Sequence, residues 1–191
     1  KKYNIKSPNF SSCRSLEGAI VAAERFGYPV MIKPADNRGS YGVNRADNSE
    51  DVIRYFYDAL IQSHSRIVLV ESFIAGRHIT VDGFVFQGHG PKALAVATKD
   101  KLKEKNSIID GEITYPGDLN QKLYSKALST LENIATKFGF EFGFLHGEFI
   151  VTKDDEIFLT EIANRGGGVL TSEIIVPNVS KIDVNAVYLN D

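Results

Sequence analysis

The stretch FLHGEFIVTKDDEIFLTEIANRGGG, residues 144–168, constrains the fold more tightly than any other part of the chain. Two runs of apolar and β-branched residues flank the polar turn TKDDE, a pattern that predicts a β-hairpin. A turn centred between Asp154 and Asp155 sets Glu148 opposite Glu161. Strict strand alternation then places Glu148, Ile150, Leu159, Glu161 and Arg165 on one face. Carboxylates opposed across a ladder destabilise it, and at such spacing they need a cation or one must hold a proton. Three readings are open from the hairpin alone. A divalent ion such as Mg2+ bridges the pair and completes its shell with waters and phosphates. Alternatively, Arg165, four residues past Glu161, neutralises the pair in a structural salt bridge, or the register differs.

The chain has 191 residues, 43% of them hydrophobic, enough for one large domain or two small lobes. Its net charge is -2 without a strongly basic window, which argues against nucleic acid as a partner. No apolar stretch approaches the roughly 20 residues of a membrane span, so no membrane partner is expected. Cys13 is the single cysteine, which excludes an internal disulfide and leads us to expect a reducing, cytoplasmic setting. The first residue is lysine and the single methionine is Met31, so we read the chain as a fragment whose N- and C-terminal flanking domains belong to a longer protein.

Helical signals come first. SLEGAIVAAERFG predicts a helix with Ser15 as N-cap and Gly27 as its stop. NSEDVIRYFYDALIQS has a polar cap and helical spacing at Val52, Phe56, Leu60 and Ile61. Residues 121–138 place Leu123, Ala127, Leu128, Leu131, Ile134, Ala135 and Phe138 on one face, with Gly139 after them. YPVMIKP and RIVLVESF read as buried strands, and RHITVDGFVFQG and PKALAVATKD as antiparallel ones. The charged segment KDKLKEKNSIIDGEITYPGDL is expected to be an irregular mobile loop. The fold class is α+β, with a lobe boundary near Phe73–Gly76.

Two of the buried strands end on a charge, PVMIK on Lys33 and IVLVE on Glu71. Such a charge either points into a ligand cleft or makes a mutual salt bridge. The turn ADNRGSYGV after Lys33 has Gly39 and Gly42, which allow the backbone to bend and present N–H groups to an anion. Neither G-x-x-x-x-G-K-[ST] nor G-x-G-x-x-G occurs in the chain.

Taken in order, GYPVMIKPADNRGSYGV, VLVESFIAGRHITVDG, HGEFI and TEIANRGGG resemble the ATP-grasp superfamily over nearly the whole chain. The likeness is to the branch with biotin carboxylase, carbamoyl phosphate synthetase and the phosphoribosylaminoimidazole carboxylase ATPase subunit. The resemblance implies a small α+β lid lobe, 1–74, and a larger antiparallel-sheet lobe, 75–191, clasping ATP with Mg2+ or Mn2+. It implies Lys33 at the phosphates, under a lid loop with Arg38, Gly39, Ser40, Tyr41 and Gly42. Glu71 would stand at the adenine, with Ser72, Phe73 and Ile74 supplying backbone hydrogen bonds, and His78 near the ribose. Lys99 and Lys101 fall where some members supply a further phosphate-binding cation. Glu148 and Glu161 resemble the metal ligands, and Arg165 the catalytic arginine that holds the acceptor. Many relatives read E-x-N-x-R, whereas this chain has Ala163 at the asparagine position and Asn164 one step along, facing the other way in a strand. The activity implied is ligation of small-molecule carboxylate and amine substrates through an acylphosphate; the alternative is a non-catalytic Mg-ATP-binding module. Without its nucleotide and metal, the hairpin is expected to carry a repulsion or a raised carboxylate pKa.

Overall fold

The computed structural model describes residues 3–37, 39–104, 107–168 and 170–190, with side chains outside 101–110. These residues group into two compact units, one of 8–74 with 101–111, the other of 3–7, 75–100 and 112–190.

In the first unit, β1 (Phe10–Cys13), α1 (Leu16–Phe26), β2 (Val30–Pro34), β3 (Asn44–Ala46), α2 (Ser49–Gln62) and β4 (Val68–Ser72) follow in order. The strands form an antiparallel sheet ordered β1-β4-β2-β3. Ser15 caps α1 by accepting the Gly18 N–H at 3.2 Å, and Gly27 ends it at φ 77. Asn48 caps α2 by accepting from Asp51. Alternation along β2 and β4 sends Val30, Ile32, Val68 and Val70 into a core with Ala19, Ala23, Val52 and Phe56. Lys33 and Glu71 therefore sit on the opposite face, away from the helices.

The segment before α1, which carried no sequence signal of its own, is strand β1, because β4 offers it a ladder, and Cys13 packs into the core. One expectation changes here. Ile61 does not face inward; it is 67% exposed, because Tyr55 and Ala59 complete the buried stripe with Val52 and Phe56.

A second sheet, ordered β7-β6-β5-β8-β9, is formed by β5 (Arg77–Phe86), β6 (Gly90–Glu104), β7 (Ser107–Thr114), β8 (Gly143–Val151) and β9 (Ile157–Ala163); it belongs to the second unit except for the stretch 101–111. Helix α3 (Gln121–Phe138) buries Leu123, Ala127, Leu131, Ile134 and Ala135 against Ile79, Val81, Leu145 and Phe149. Gly139 closes it in the left-handed region. Past β9, one wide helical turn, Thr171–Ile175, runs into α4 (Val176–Ser180), and α5 (Val184–Asn190) follows. The segment expected to be irregular instead continues β6 to Glu104 and forms β7 from Ser107. Ladder hydrogen bonds to a neighbouring strand hold a backbone extended whatever charges its side chains carry. Among the described residues, no helix is long and apolar enough to cross a membrane.

Candidate functional site

Strand pairing in the second unit gathers one row of polar side chains. His78, Thr80 and Asp82 alternate along β5. Across the ladder, Lys99 pairs with His78, Glu148 with Thr80, and His146 with Asp82. On the far side of β8, Glu161 is the Cα partner of Glu148 and Ala163 that of His146. The two carboxylate positions oppose each other as the hairpin pattern predicts, but not by simple alternation. Phe149 pairs with Leu159, so Thr160 is an extra residue, a β-bulge. Leu159 and Ile162 both pack against the α3 core. The bulge thus separates Leu159 from the face that carries Glu148 and Glu161, contrary to strict alternation.

The polar row is tightly bonded. Lys99 Nζ donates to Glu148 Oε1 at 2.7 Å. His146 Nδ1 lies 2.7 Å from Asp82 Oδ1, and its Nε2 lies 3.7 Å from Glu148. Tyr115 donates its hydroxyl to Asp82 Oδ2 at 2.5 Å and stands 3.2 Å from the Thr80 hydroxyl. Burial alone pushes the His146 pKa down, but the carboxylates of Asp82 and Glu148 outweigh it and raise the pKa to about 9. The ring therefore carries protons on both nitrogens and donates to Asp82. Burial pushes the Glu148 carboxyl up, yet the His146 ring and the Lys99 ammonium outweigh it and hold the group well below the usual carboxylate range. Burial and the Asp82 charge raise the Tyr115 phenol, which keeps its proton to donate.

The expected raised carboxylate is not found at Glu148, whose pKa is lowered instead. Lys99 and His146 supply the positive charge for Glu148, while Arg165 reaches Glu161 at 3.8 Å, both of these more than half exposed. Part of the structural ion-pair reading is thus present, with Lys99 rather than Arg165 on Glu148.

The segment after β9 closes over this row. A Cβ on Gly167 would lie 3.0 Å from both Asp82 Oδ1 and His146 Nδ1, and one on Gly166 only 2.2 Å from the Ser172 hydroxyl. Asn164 donates its side-chain amide to the Phe144 carbonyl at 2.8 Å, so it fastens β9 to the start of β8. Neither it nor Ala163 brings an oxygen to Glu148. Asp82, Thr80 and Tyr115 are the site residues that sequence reasoning passed over. Asp82 had a signal, a charge in an otherwise buried strand; Tyr115 lay in the segment read as irregular.

The first unit holds the remaining predicted residues. Lys33 Nζ donates to Glu71 Oε2 at 2.6 Å, both mostly buried, so the two strand-end charges meet. In the loop between β2 and β3, Gly39, Ser40 and Gly42 have φ of 68, 58 and 75. Tyr41 is 69% exposed. Arg38 lies outside the described residues, as does the side chain of Lys101. Ser72 donates its N–H to the Asn9 carbonyl at 2.8 Å, and Phe73 donates to Pro29 at 3.3 Å. Nucleotide recognition by these two N–H groups requires exchanging those bonds. The Phe73 ring lies under the Arg45 guanidinium at 4.6 Å, and Ile74 is half-buried.

Among the described residues, no three His, Cys, Asp or Glu side chains group as a metal cage. Two carboxylates paired across a ladder are nevertheless the hard oxygen donors that Mg2+ takes when waters and phosphates complete its shell. The residues fit such an ion. A cleft of about 430 Å³ in the same unit lies elsewhere, at the start of α3 beside Arg77 and Lys153.

Residues 26–173 match the family model described as the ATP-grasp domain. The fold is similar to a biotin carboxylase–β,γ-ATP complex from Campylobacter jejuni (TM-score 0.79, 21% identity, 96% of this chain and 41% of that one). It is also similar to L-amino acid ligase from Bacillus licheniformis (TM-score 0.76, 20% identity, 97% and 44%). A third similar structure is the biotin carboxylase domain of a 2-oxoglutarate carboxylase from Hydrogenobacter thermophilus, in complex with MgADP, ADP and bicarbonate (TM-score 0.73, 18% identity, 88% and 38%). The chain spans less than half the length of each of these three. With more than half of its residues inside the family model and the α+β fold in common, the chain belongs to the ATP-grasp family.

Proposed function

We propose that this chain is the ATP-dependent ligase domain of a longer protein, activating a carboxylate or bicarbonate for attack by an amine-type nucleophile. The supporting observation is Glu148, held ionised beside Lys99 and opposite Glu161 on one sheet face. Glu148 and Glu161 hold the divalent ion, and Lys99 and Lys33 contact phosphate oxygens. Glu71, with the segment 72–74, takes the adenine, His78 the ribose, and Arg165 the acceptor. A carboxylate oxygen attacks the γ-phosphorus, the bond to the bridging oxygen breaks and ADP leaves. The amine then adds to the acyl carbon and inorganic phosphate departs. Bound Mg2+ contributes neutralisation of phosphate charge. Positioning and charge stabilisation account for most of such a transfer, which matches a site built of cations and carboxylates without an activated nucleophile.

A second reading, a Mg-ATP-binding module without catalysis, is favoured by one residue, Ala163, which brings no oxygen where many relatives have asparagine. Hydroxylamine trapping separates the two in the intact protein. Incubation with ATP, Mg2+ and a panel of carboxylates should yield hydroxamate and ADP; binding without any hydroxamate supports the module. Titration calorimetry addresses the metal. Glu161→Gln should weaken Mg-dependent ADP affinity at least about tenfold, and unchanged affinity removes the metal assignment.

A further inference from the structure

The outer face of α2 carries an apolar stripe that the fold leaves exposed. Ile53, Tyr57 and Ile61 recur every four residues and are 46%, 55% and 67% exposed. The opposite side of the helix holds the buried Val52, Tyr55, Phe56 and Ala59. Four-residue spacing sets the three side chains on one face, and a continuous row is more than the scattered exposure normal for a surface. Arg54 and Asp58, both exposed, flank the row on one side, one turn apart.

This row is its own complement. Ile53 and Ile61 lie four residues either side of Tyr57, about 6 Å each along the axis. A two-fold axis through Tyr57, perpendicular to the helix, sets Ile53 opposite the partner's Ile61 and Tyr57 against its own copy. The same rotation keeps each flank on its own side. Arg54 then falls within about 3 Å, measured along the axis, of the partner's Asp58, and the pair is formed twice. A parallel pairing sends the flanks to opposite sides and forms neither ion pair. Two-fold dimers need a patch that matches itself, and here both the apolar positions and the charges do.

We propose that α2 docks antiparallel on α2 of a second copy of this chain, with Tyr57 at the centre. One helix face is smaller than the roughly 800 Å² per partner of a stable complex, so the dimer is weak, with a dissociation constant on the order of 100 µM.

Disulfide trapping of the 191-residue chain tests the geometry. Tyr57→Cys meets itself on the axis and should give a covalent dimer under mild oxidation. Ile53→Cys stands about 12 Å along the axis from its own copy and should give at least tenfold less. An equal mixture of Ile53→Cys and Ile61→Cys should cross-link again. Native Cys13, 6% exposed in the core, does not compete. Sedimentation velocity tests the charges. Arg54→Asp and Asp58→Arg should each weaken self-association severalfold, and the double swap should restore it. The proposal is overturned by equal trapping at all three positions, by none, or by a double swap that fails to restore. If another region of a longer chain or a different protein covers this stripe, trapping fails and the proposal falls with it.

Discussion

Glu148 keeps its charge in a largely apolar strand through two neighbours, the Lys99 ammonium at 2.7 Å and the His146 ring at 3.7 Å. Removing one partner of such a pair leaves the other uncompensated. Because the Glu148 side chain is 32% exposed, water recovers part of the loss, and Lys99→Gln should cost about 1–3 kcal/mol. Urea unfolding of the metal-free chain in EDTA measures it, and an unchanged midpoint would mean that solvent, not the lysine, supports Glu148. Asp36 gives a pH signature. The Ser63 hydroxyl donates to it and contributes most to the lowering of its pKa, burial opposes, and the Ser65 N–H adds to the lowering. The folded carboxyl titrates below its unfolded value of about 3.9. Its contribution is therefore full above that value and lost as pH falls through the folded one. Between pH 6 and pH 3 the melting temperature of the native chain should fall more than that of Asp36→Asn; parallel decline contradicts the assignment. At this scale the sequence was informative where a charge interrupts an apolar run, as at Lys33, Glu71 and Glu148. Asp82 gives the same signal, but its partners His146 and Tyr115 are 64 and 33 residues away, beyond any local pattern.

Elements bring their own constraints. The segment after β9 approaches the Asp82–His146 pair so closely that Gly167 has no room for a side chain. Gly167→Ala should cost about 1–3 kcal/mol through forced displacement of that pair. Gly168→Ala, with nothing within 4 Å, should stay within about 0.5 kcal/mol. Thermal unfolding of the two variants side by side checks this, and equal losses would show that the cost does not come from the close contact at Gly167, since glycine entropy alone favours alanine. Helices α1, α2 and α3 were legible because caps and 3.6-residue spacing act within a few positions. The charged end of β6 and strand β7 were not, since their charged residues hide an extended backbone that only the neighbouring strand stabilises. The Thr160 bulge was equally hidden. The two-residue spacing of Leu159 and Glu161 cannot reveal that Leu159 turns to the α3 core and Glu161 away from it.

At the scale of the whole molecule, the described residues form two cores, one around Phe56, Val68 and Val70 and the other around Leu131, Leu145 and Phe149. Each is closed by its own helices. Leu131→Ala should cost the second core about 2–5 kcal/mol and speed amide exchange in β5 and β8 while leaving β2 and β4 unchanged. Phe56→Ala should do the reverse; exchange that rises everywhere in both variants would mean one cooperative unit. What the sequence determined by itself was the inventory: three amphipathic helices with their stops, a hairpin with facing glutamates, strand ends charged at Lys33 and Glu71, and the ATP-grasp motif order. Tertiary structure alone decided the partners, joining Lys99 to Glu148, His146 to Asp82 and Tyr115 to both Asp82 and Thr80. Caps and periodicity are energies of near neighbours along the chain. Ladder register and face depend on which distant strands bury each other, and that is settled only when the entire sheet packs.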